Sequence, residues 1–274
     1  MAEKIEKTIG VIGAGSMGAA IARGLVASGA ASPERVLVAN PSAGKLAPLA
    51  ELGIKTFMSN DALLAEDPDA VVLAVKPQVL PGVLAEHTEG LSGRLVISIA
   101  TGVSVCTLER ALKDSRVVRA MPNLPVQVLS GAAAVCPGSR ATEEDLDLAL
   151  AIFSALGSAV VLREDQLDAE GAVVGCGPAY VALLVDDLTR AGVERGLPAA
   201  ACRELVLSTM RGVAEQLLAS GEHPRAYMEK VTSPGGTTAA ALAMMEKDGL
   251  RTAVTEGMIA CLQKTVELGK KQSA

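Results

Sequence analysis

Aromatic side chains are nearly missing from this 274-residue sequence: it has no Trp, two Phe and two Tyr. Half of the residues are nevertheless hydrophobic, so the core has to be built from Ala, Val, Leu, Ile and Met. Histidine is scarce too, with His87 and His223 alone, which argues against a histidine-rich metal site. The five cysteines (Cys106, Cys136, Cys176, Cys202, Cys261) are odd in number and contain no CxxC pair. That pattern fits free thiols in a reducing compartment, and neither a disulfide framework nor a thiolate zinc site, so no metal is expected. An excess of positive charge is also absent: the formal net charge is −6, with acids and bases interspersed, which offers no broad surface to nucleic acid or anionic lipid. The opening MAEKIEKTIG has no long apolar run, so no secretory signal is expected. The most apolar later stretch, Ala169 to Leu188, is broken by Gly, Pro and acidic residues and does not read as a membrane span. A soluble cytoplasmic protein is the expectation.

The chain is long enough for two domains. From Lys7 to about Arg163, short runs rich in Val, Ile and Ala (Thr8–Gly13, Val36–Ala39, Ala70–Val75, Leu95–Ala100, Val117–Met121, Ala132–Cys136, Ala159–Leu162) read as strands. Segments of helical spacing such as Met17–Ala27, Gly44–Leu52 and Glu143–Leu156 lie between them. This alternation predicts an α/β fold with a mainly parallel sheet covered on both faces, binding ligands at the carboxyl ends of its strands. After Glu164 the strand signals stop. Asp168–Arg195, Pro198–Ala219, Pro224–Lys230, Thr237–Lys247 and Leu250–Lys270 read as helices, the last with an apolar face at Val254, Met258, Cys261, Thr265 and Leu268. The expected division is residues 1–164 and 165–274. A helical half rich in Ala and Leu is expected to bury its remaining apolar face against another copy, giving at least a homodimer.

The first strand runs into Gly13-Ala14-Gly15-Ser16-Met17-Gly18. Gly13 permits a tight turn, Gly15 lets backbone approach a pyrophosphate, and Gly18 lets the following helix pack on the strand. The helix opening near Ser16 and Met17 points amide donors and the positive end of its dipole at the phosphates. Together with the alternating pattern, this predicts a Rossmann-type, doubly wound nicotinamide-dinucleotide domain. At the end of the second strand, Asn40-Pro41-Ser42 stands where an NAD binder carries Asp or Glu. Neutral Asn40, with Ser42 and Lys45, tolerates or binds a 2′-phosphate, so NADP(H) is preferred and NAD(H) stays open. The same tripeptide also reads as a cap for the next helix.

Val75-Lys76-Pro77-Gln78 follows the strand Ala70–Val75, where proline ends the strand. Lys76 reads as an acid, an anion anchor or a solvated loop lysine. Ile99-Ala100-Thr101-Gly102 and Met121-Pro122-Asn123-Leu124-Pro125 end two further strands and wall the nicotinamide side, with Asn123 a polar contact or a turn residue. In the helical half, Gly175-Cys176-Gly177-Pro178-Ala179-Tyr180 predicts a kink, and no histidine is placed in sequence to activate Cys176. Val231-Thr232-Ser233-Pro234-Gly235-Gly236-Thr237-Thr238 leads into an alanine-rich helix. Its successive glycines and hydroxyls present several amides to a small carboxylate, beyond what a capped helix start requires.

At these residues the chain resembles the pyrroline-5-carboxylate reductases. The likeness covers Ile9 to Gly18, Ala74 to Gln78, Met121-Pro122-Asn123, Gly177-Pro178-Ala179-Tyr180 and Ser233 to Thr238, in family order over nearly the whole chain. It implies a Rossmann domain followed by an all-α dimerisation domain, and reduction of the ring C=N of 1-pyrroline-5-carboxylate to L-proline with NADPH or NADH. It further implies that Ser233, Gly235, Gly236, Thr237 and Thr238 hold the substrate carboxylate. Thr238 is then the catalytic residue, hydrogen-bonded to the ring nitrogen and supplying or orienting its proton. Asn60 matches the family's adenine-ribose side, and assembly runs from dimers commonly to decamers. Two positions depart: Cys176 stands where serine is usual and Leu124 where threonine is common. Rival readings are another imine reductase, a β-hydroxyacid dehydrogenase, whose catalytic lysine has no counterpart in Asp168–Arg195, and a non-enzymatic NADP sensor, which has no need of Ser233–Thr238.

Overall fold

The computed structural model describes residues 4–272. It divides into two compact units, one running up to Cys176 and taking in the chain from Leu262 onward, the other spanning Gly177–Cys261.

The first unit is built on an eight-stranded sheet: β1 Ile9–Ile12, β2 Val36–Ala39, β3 Lys55–Phe57, β4 Ala70–Leu73, β5 Leu95–Ser98, β6 Arg116–Pro122, β7 Gly131–Pro137 and β8 Gly157–Val161. Their order is β3-β2-β1-β4-β5-β6-β7-β8. Every neighbouring pair is parallel except β6 with β7. The predicted strands all appear, with ends shifted by a residue or two. β3 escapes a reading based on apolar runs because Lys-Thr-Phe is short and polar at its start, and lies at the sheet edge.

Six helices, α1 Ser16–Ala27, α2 Ala43–Ala50, α3 Asn60–Leu64, α4 Leu80–Leu91, α5 Val105–Ala111 and α6 Glu143–Ser154, cover the two faces. Successive side chains of a strand point to opposite faces. Ile9 and Val11 therefore join one core with Ile21, Leu25, Leu49, Ile152 and Phe153 of α1, α2 and α6. Ile12 joins the other with Leu63, Leu64, Leu80, Leu84 and Leu108 of α3, α4 and α5. Burying a side chain of this size stabilises the fold by roughly 1.5–3 kcal/mol. Local chemistry fixes the helix ends: Thr142 and Asp145 form a reciprocal capping box at the start of α6, and Arg116 Nε on β6 lies 2.8 Å from Asp145 Oδ2. From β1 the chain passes to β2 and β3 on one side, then returns to β4 on the other. The carboxyl ends of β1 and β4 thus flank the point where strand order reverses, which in open α/β sheets is the ligand cleft.

Beyond β8, α7 Glu164–Glu170 packs Leu167 against Val105, Ala134 and Cys136. It passes into a π turn, Gly171–Gly175, and then into α8 Gly177–Glu194. The Cys176 amide donates to Gly171 O at 2.9 Å, five residues back. The predicted interruption is therefore a widened turn with a bend at Cys176, one residue before Gly177-Pro178.

The second unit is helical throughout, with α8, α9 Ala199–Ser220, α10 Pro224–Lys230, α11 Thr237–Lys247 and the start of α12 Leu250–Gln272. In α8 and α9, Cys202 Sγ donates to Thr189 O at 3.6 Å, and a Cβ on Gly192 would run into the same sulfur. Among the described residues of α8 to α11, Cys202 is the one buried side chain. Val181, Leu183, Leu184, Leu188, Leu205 and Leu207 are exposed. On α12, Met258, Cys261 and Thr265 are half-buried and Val254 is exposed; the Leu268 side chain lies outside the described residues. The helical run Glu164–Glu194 is long and apolar enough, by length and composition, to cross a membrane.

Candidate active site

Three glycines give the turn after β1 its shape, each for its own reason. Gly13 has φ +106°, and a Cβ there would lie 2.8 Å from Ala74 O of the neighbouring chain segment. A Cβ on Gly18 would overlap Gly13 O, so α1 can start this close to β1 only without one. Gly15 has nothing within 4 Å of a built Cβ: its missing side chain leaves open space against bare backbone. Gly15 is also the N-cap of α1, where no side chain caps the helix. The first amides of α1, at Ser16, Met17 and Gly18, thus start a helix whose unpaired donors and positive dipole end suit a pyrophosphate.

Asn40, at the end of β2, is buried, and its Oδ1 accepts from the Ala14 amide at 3.1 Å. The residue standing in for an acid therefore holds the glycine turn to β2. Ser42 is the N-cap of α2 but makes no capping hydrogen bond, so its exposed hydroxyl remains for a ligand, beside exposed Lys45. Asn60 opens α3 after a Ser59 cap. Its carboxamide nitrogen lies 3.1 Å from His87 Nε2 of α4, a contact that no spacing in the sequence signals.

At the ends of β4, β5 and β6, Val75 and Pro77 are half-buried, Lys76 is exposed, and Ala100 and Met121 are buried. Thr101 Oγ1 lies 3.9 Å from Met121 Sδ and joins two of these ends. Asn123 Oδ1 accepts from the Ala132 amide at 2.8 Å, and its Nδ2 donates to Val174 O at 3.2 Å. Asn123 thus ties the exit of β6 to β7 and to the π turn, on the turn-residue side of the two readings. Parallel pairing from β1 to β6 brings the glycine turn, Asn40, Val75 to Pro77, Ala100 and Met121 to one edge of the sheet.

Beneath that edge lies a charged cluster that sequence periodicity does not reveal. Arg119 of β6 is buried, with Nη1 3.4 Å from Glu164 Oε1 and Nη2 3.6 Å from Asp168 Oδ1. Glu170 is buried at the end of α7, and neither of its carboxylate oxygens has a hydrogen-bond partner among the described residues. Burial pushes its carboxyl up to about 7, with Arg119 pulling the other way. Burial also raises the Cys136 thiol, with Glu164 adding to it. No group of three or more His, Cys, Asp or Glu among the described residues is arranged to hold a metal.

The loop Ser233–Thr238 lies in the second unit and repeats the glycine-turn device. Gly236 is the N-cap of α11 with φ −79° and ψ 173°, and no side chain caps that helix; Gly15 has φ −73° and ψ −174°. Gly235 has φ +73°, a left-handed turn that only glycine adopts without strain. Ser233, Gly235 and Thr237 are exposed and Thr238 is half-buried. The Gly236 amide is used on Ser233 O at 3.0 Å, which closes the loop and leaves the Thr237 and Thr238 amides leading α11.

A doubly wound sheet and a glycine turn opening on an uncapped helix make the first unit that of a nicotinamide-dependent oxidoreductase. Residues 8–102 match the family model described as NADP oxidoreductase, coenzyme F420-dependent. Residues 164–268 match the one described as pyrroline-5-carboxylate reductase dimerisation. The pyrroline-5-carboxylate reductase of Synechocystis sp. is 40% identical over 96% of this chain and 98% of its own. The solved pyrroline-5-carboxylate reductase of Coxiella burnetii superposes with a TM-score of 0.90 at 34% identity, covering 96% of this chain and 99% of the other. The Plasmodium falciparum enzyme, solved with NADP bound, gives 0.86 at 30% identity, over 97% and 99%. The chain belongs to the pyrroline-5-carboxylate reductase family.

Proposed function

We propose that this chain reduces the ring C=N of 1-pyrroline-5-carboxylate to L-proline, using NADP(H) in preference to NAD(H). The observation that carries the reading is the pair of glycine-capped, otherwise uncapped helix starts, at Gly15 and Gly236, in a chain of this family. A bound dinucleotide supplies the hydride. Gly13, Gly15, Ser16, Met17 and Gly18 receive its pyrophosphate; Ser42 and Lys45, with Asn40 behind them, take the 2′-phosphate, and Asn60 the adenosine ribose. Val75, Lys76, Pro77, Ala100 and Met121 flank the nicotinamide, and Asn123 braces that wall.

In the second unit the Thr237 and Thr238 amides, with Ser233 and the Gly235-Gly236 backbone, receive the substrate carboxylate. The Thr238 hydroxyl holds the ring nitrogen. As hydride reaches the ring carbon, the C=N π pair moves onto nitrogen and takes a proton there, from Thr238 or from water that Thr238 orients. Neither a nucleophile nor a metal enters the step; the protein contributes positioning and electrostatics. Two copies pair through the exposed apolar faces of the helical unit, and such dimers assemble further, to decamers, in the cytoplasm. Burial in that pairing also accounts for the long apolar run Glu164–Glu194.

Purified protein is expected to oxidise NADPH when given pyrroline-5-carboxylate, and Thr238→Ala to lose roughly a hundredfold in kcat. No turnover of this substrate, alongside reduction of another cyclic imine, would reject the assignment.

A further inference from the structure

His87 has no part in the chemistry above, yet its imidazole is firmly placed. The side chain is 9% exposed, and α4 leaves helical geometry at this residue (φ −121°, ψ 20°). The ring bridges two consecutive residues at the start of α3: Nδ1 lies 2.8 Å from Asp61 Oδ1, and Nε2 lies 3.1 Å from Asn60 Nδ2. An ionised carboxylate only accepts hydrogen bonds, so Nδ1 carries the hydrogen. The Nε2 of a neutral ring is then an acceptor, and the Asn60 amide nitrogen donates to it. This fixes the carboxamide, with its nitrogen committed to His87 and its oxygen left to accept.

We propose that His87 is a positioning residue that decides which end of the Asn60 carboxamide meets the cofactor, and so tunes the choice between NADPH and NADH. The proposal rests on the reading of Asn60 as the contact to the adenosine ribose. With a neutral ring, Asn60 presents its oxygen, which accepts from a ribose hydroxyl that both dinucleotides carry. A proton added to the ring makes both nitrogens donors. The carboxamide then turns over, gives its oxygen to Nε2 and presents its NH2 group, a donor matched to a 2′-phosphate. Asp61 on α3 and Glu86 on α4, whose Oε2 lies 3.9 Å from Nε2, are the charged groups the structure sets against the ring.

The test compares kcat/KM for NADPH and NADH in the wild type, Asn60→Ala, His87→Gln and His87→Leu, at about pH 6 and about pH 8. On acidification the wild-type NADPH-to-NADH ratio is expected to rise by roughly three- to tenfold more than in His87→Gln. Titration of the 2′-phosphate itself is common to every variant and cancels in that comparison. His87→Gln keeps an uncharged acceptor for the Asn60 amide, so it should retain the wild-type cofactor KM near pH 8 and lose the extra pH response. His87→Leu should raise the cofactor KM several-fold with kcat little changed; if it does not fold, as judged by melting temperature, His87→Gln carries the test. A pH response in the His87 variants equal to that of the wild type overturns the proposal. If that occurs while Asn60→Ala still raises the cofactor KM, only the role of His87 falls. If Asn60→Ala leaves both cofactor KM values unchanged, the adenosine-side reading of Asn60 falls and takes the proposal with it.

Discussion

In the first unit, Ile9, Val11, Ile21 and Leu25 are closed off from water, and helices cover both faces of the sheet. In the second, α8 buries none of its residues and α9 buries Cys202 alone, while Val181, Leu184 and Leu188 form an exposed apolar stripe along α8. The amino-acid classes are similar in the two units; what differs is where their apolar faces can go. A sheet with helices on both sides completes its own core. A set of helices with little buried between them needs a partner surface, and a family model for dimerisation matches this part of the chain. In the proposed function the division follows the same line: the self-sufficient unit would hold the dinucleotide, and the partner-dependent unit would carry the loop for the substrate carboxylate.

A charge placed in the α8 stripe should disturb the second unit most severely. Leu184→Arg should weaken self-association by roughly 3–5 kcal/mol, a loss read by sedimentation, because an unpaired charge buried in an interface is not compensated. The first unit should remain folded, visible as retained NADPH binding. A change confined to the first unit should do the reverse. Gly18→Ala pushes a methyl group into Gly13 O and should cost about 1–3 kcal/mol of cofactor affinity or stability, measured by NADPH titration and melting temperature, with the oligomer mass unchanged.

A smaller effect comes from Glu170, which faces Arg119 in the first unit. Its carboxyl ionises near 4.5 in the unfolded chain and at about 7 in the folded one. Between those values the folded state keeps a proton that the unfolded state has released, so stability falls as pH rises through this window and levels off above it. Glu170→Gln removes that loss. The variant should match the wild type in acid and be more stable by on the order of 2 kcal/mol above neutral pH, in denaturant titrations run across the window. Equal pH dependence in the two proteins would show that Arg119 already compensates the charge.

Much of this was legible in the sequence where punctuation is strong. Proline and glycine bound α10 and α11, and both helices run over the ranges the sequence predicts. The glycine turn is legible because a tight turn, a close backbone approach and a helix–strand contact each require the residue type found. What stayed hidden depends on the third dimension. Asn123 spends both ends of its carboxamide on Ala132 and Val174, partners no spacing rule supplies. His87 reaches Asn60 from 27 residues away, and Glu170 sits in a run whose composition does not show that both of its oxygens are buried with no hydrogen-bond partner among the described residues.

Whether turnover depends on pairing is read from a dilution series in which mass by light scattering and pyrroline-5-carboxylate-dependent NADPH oxidation are followed on the same samples. The mass should be at least twice that of the 27.9 kDa chain at micromolar concentration, with specific activity falling as the assembly dissociates. A species of single-chain mass that turns over substrate at full rate would contradict it.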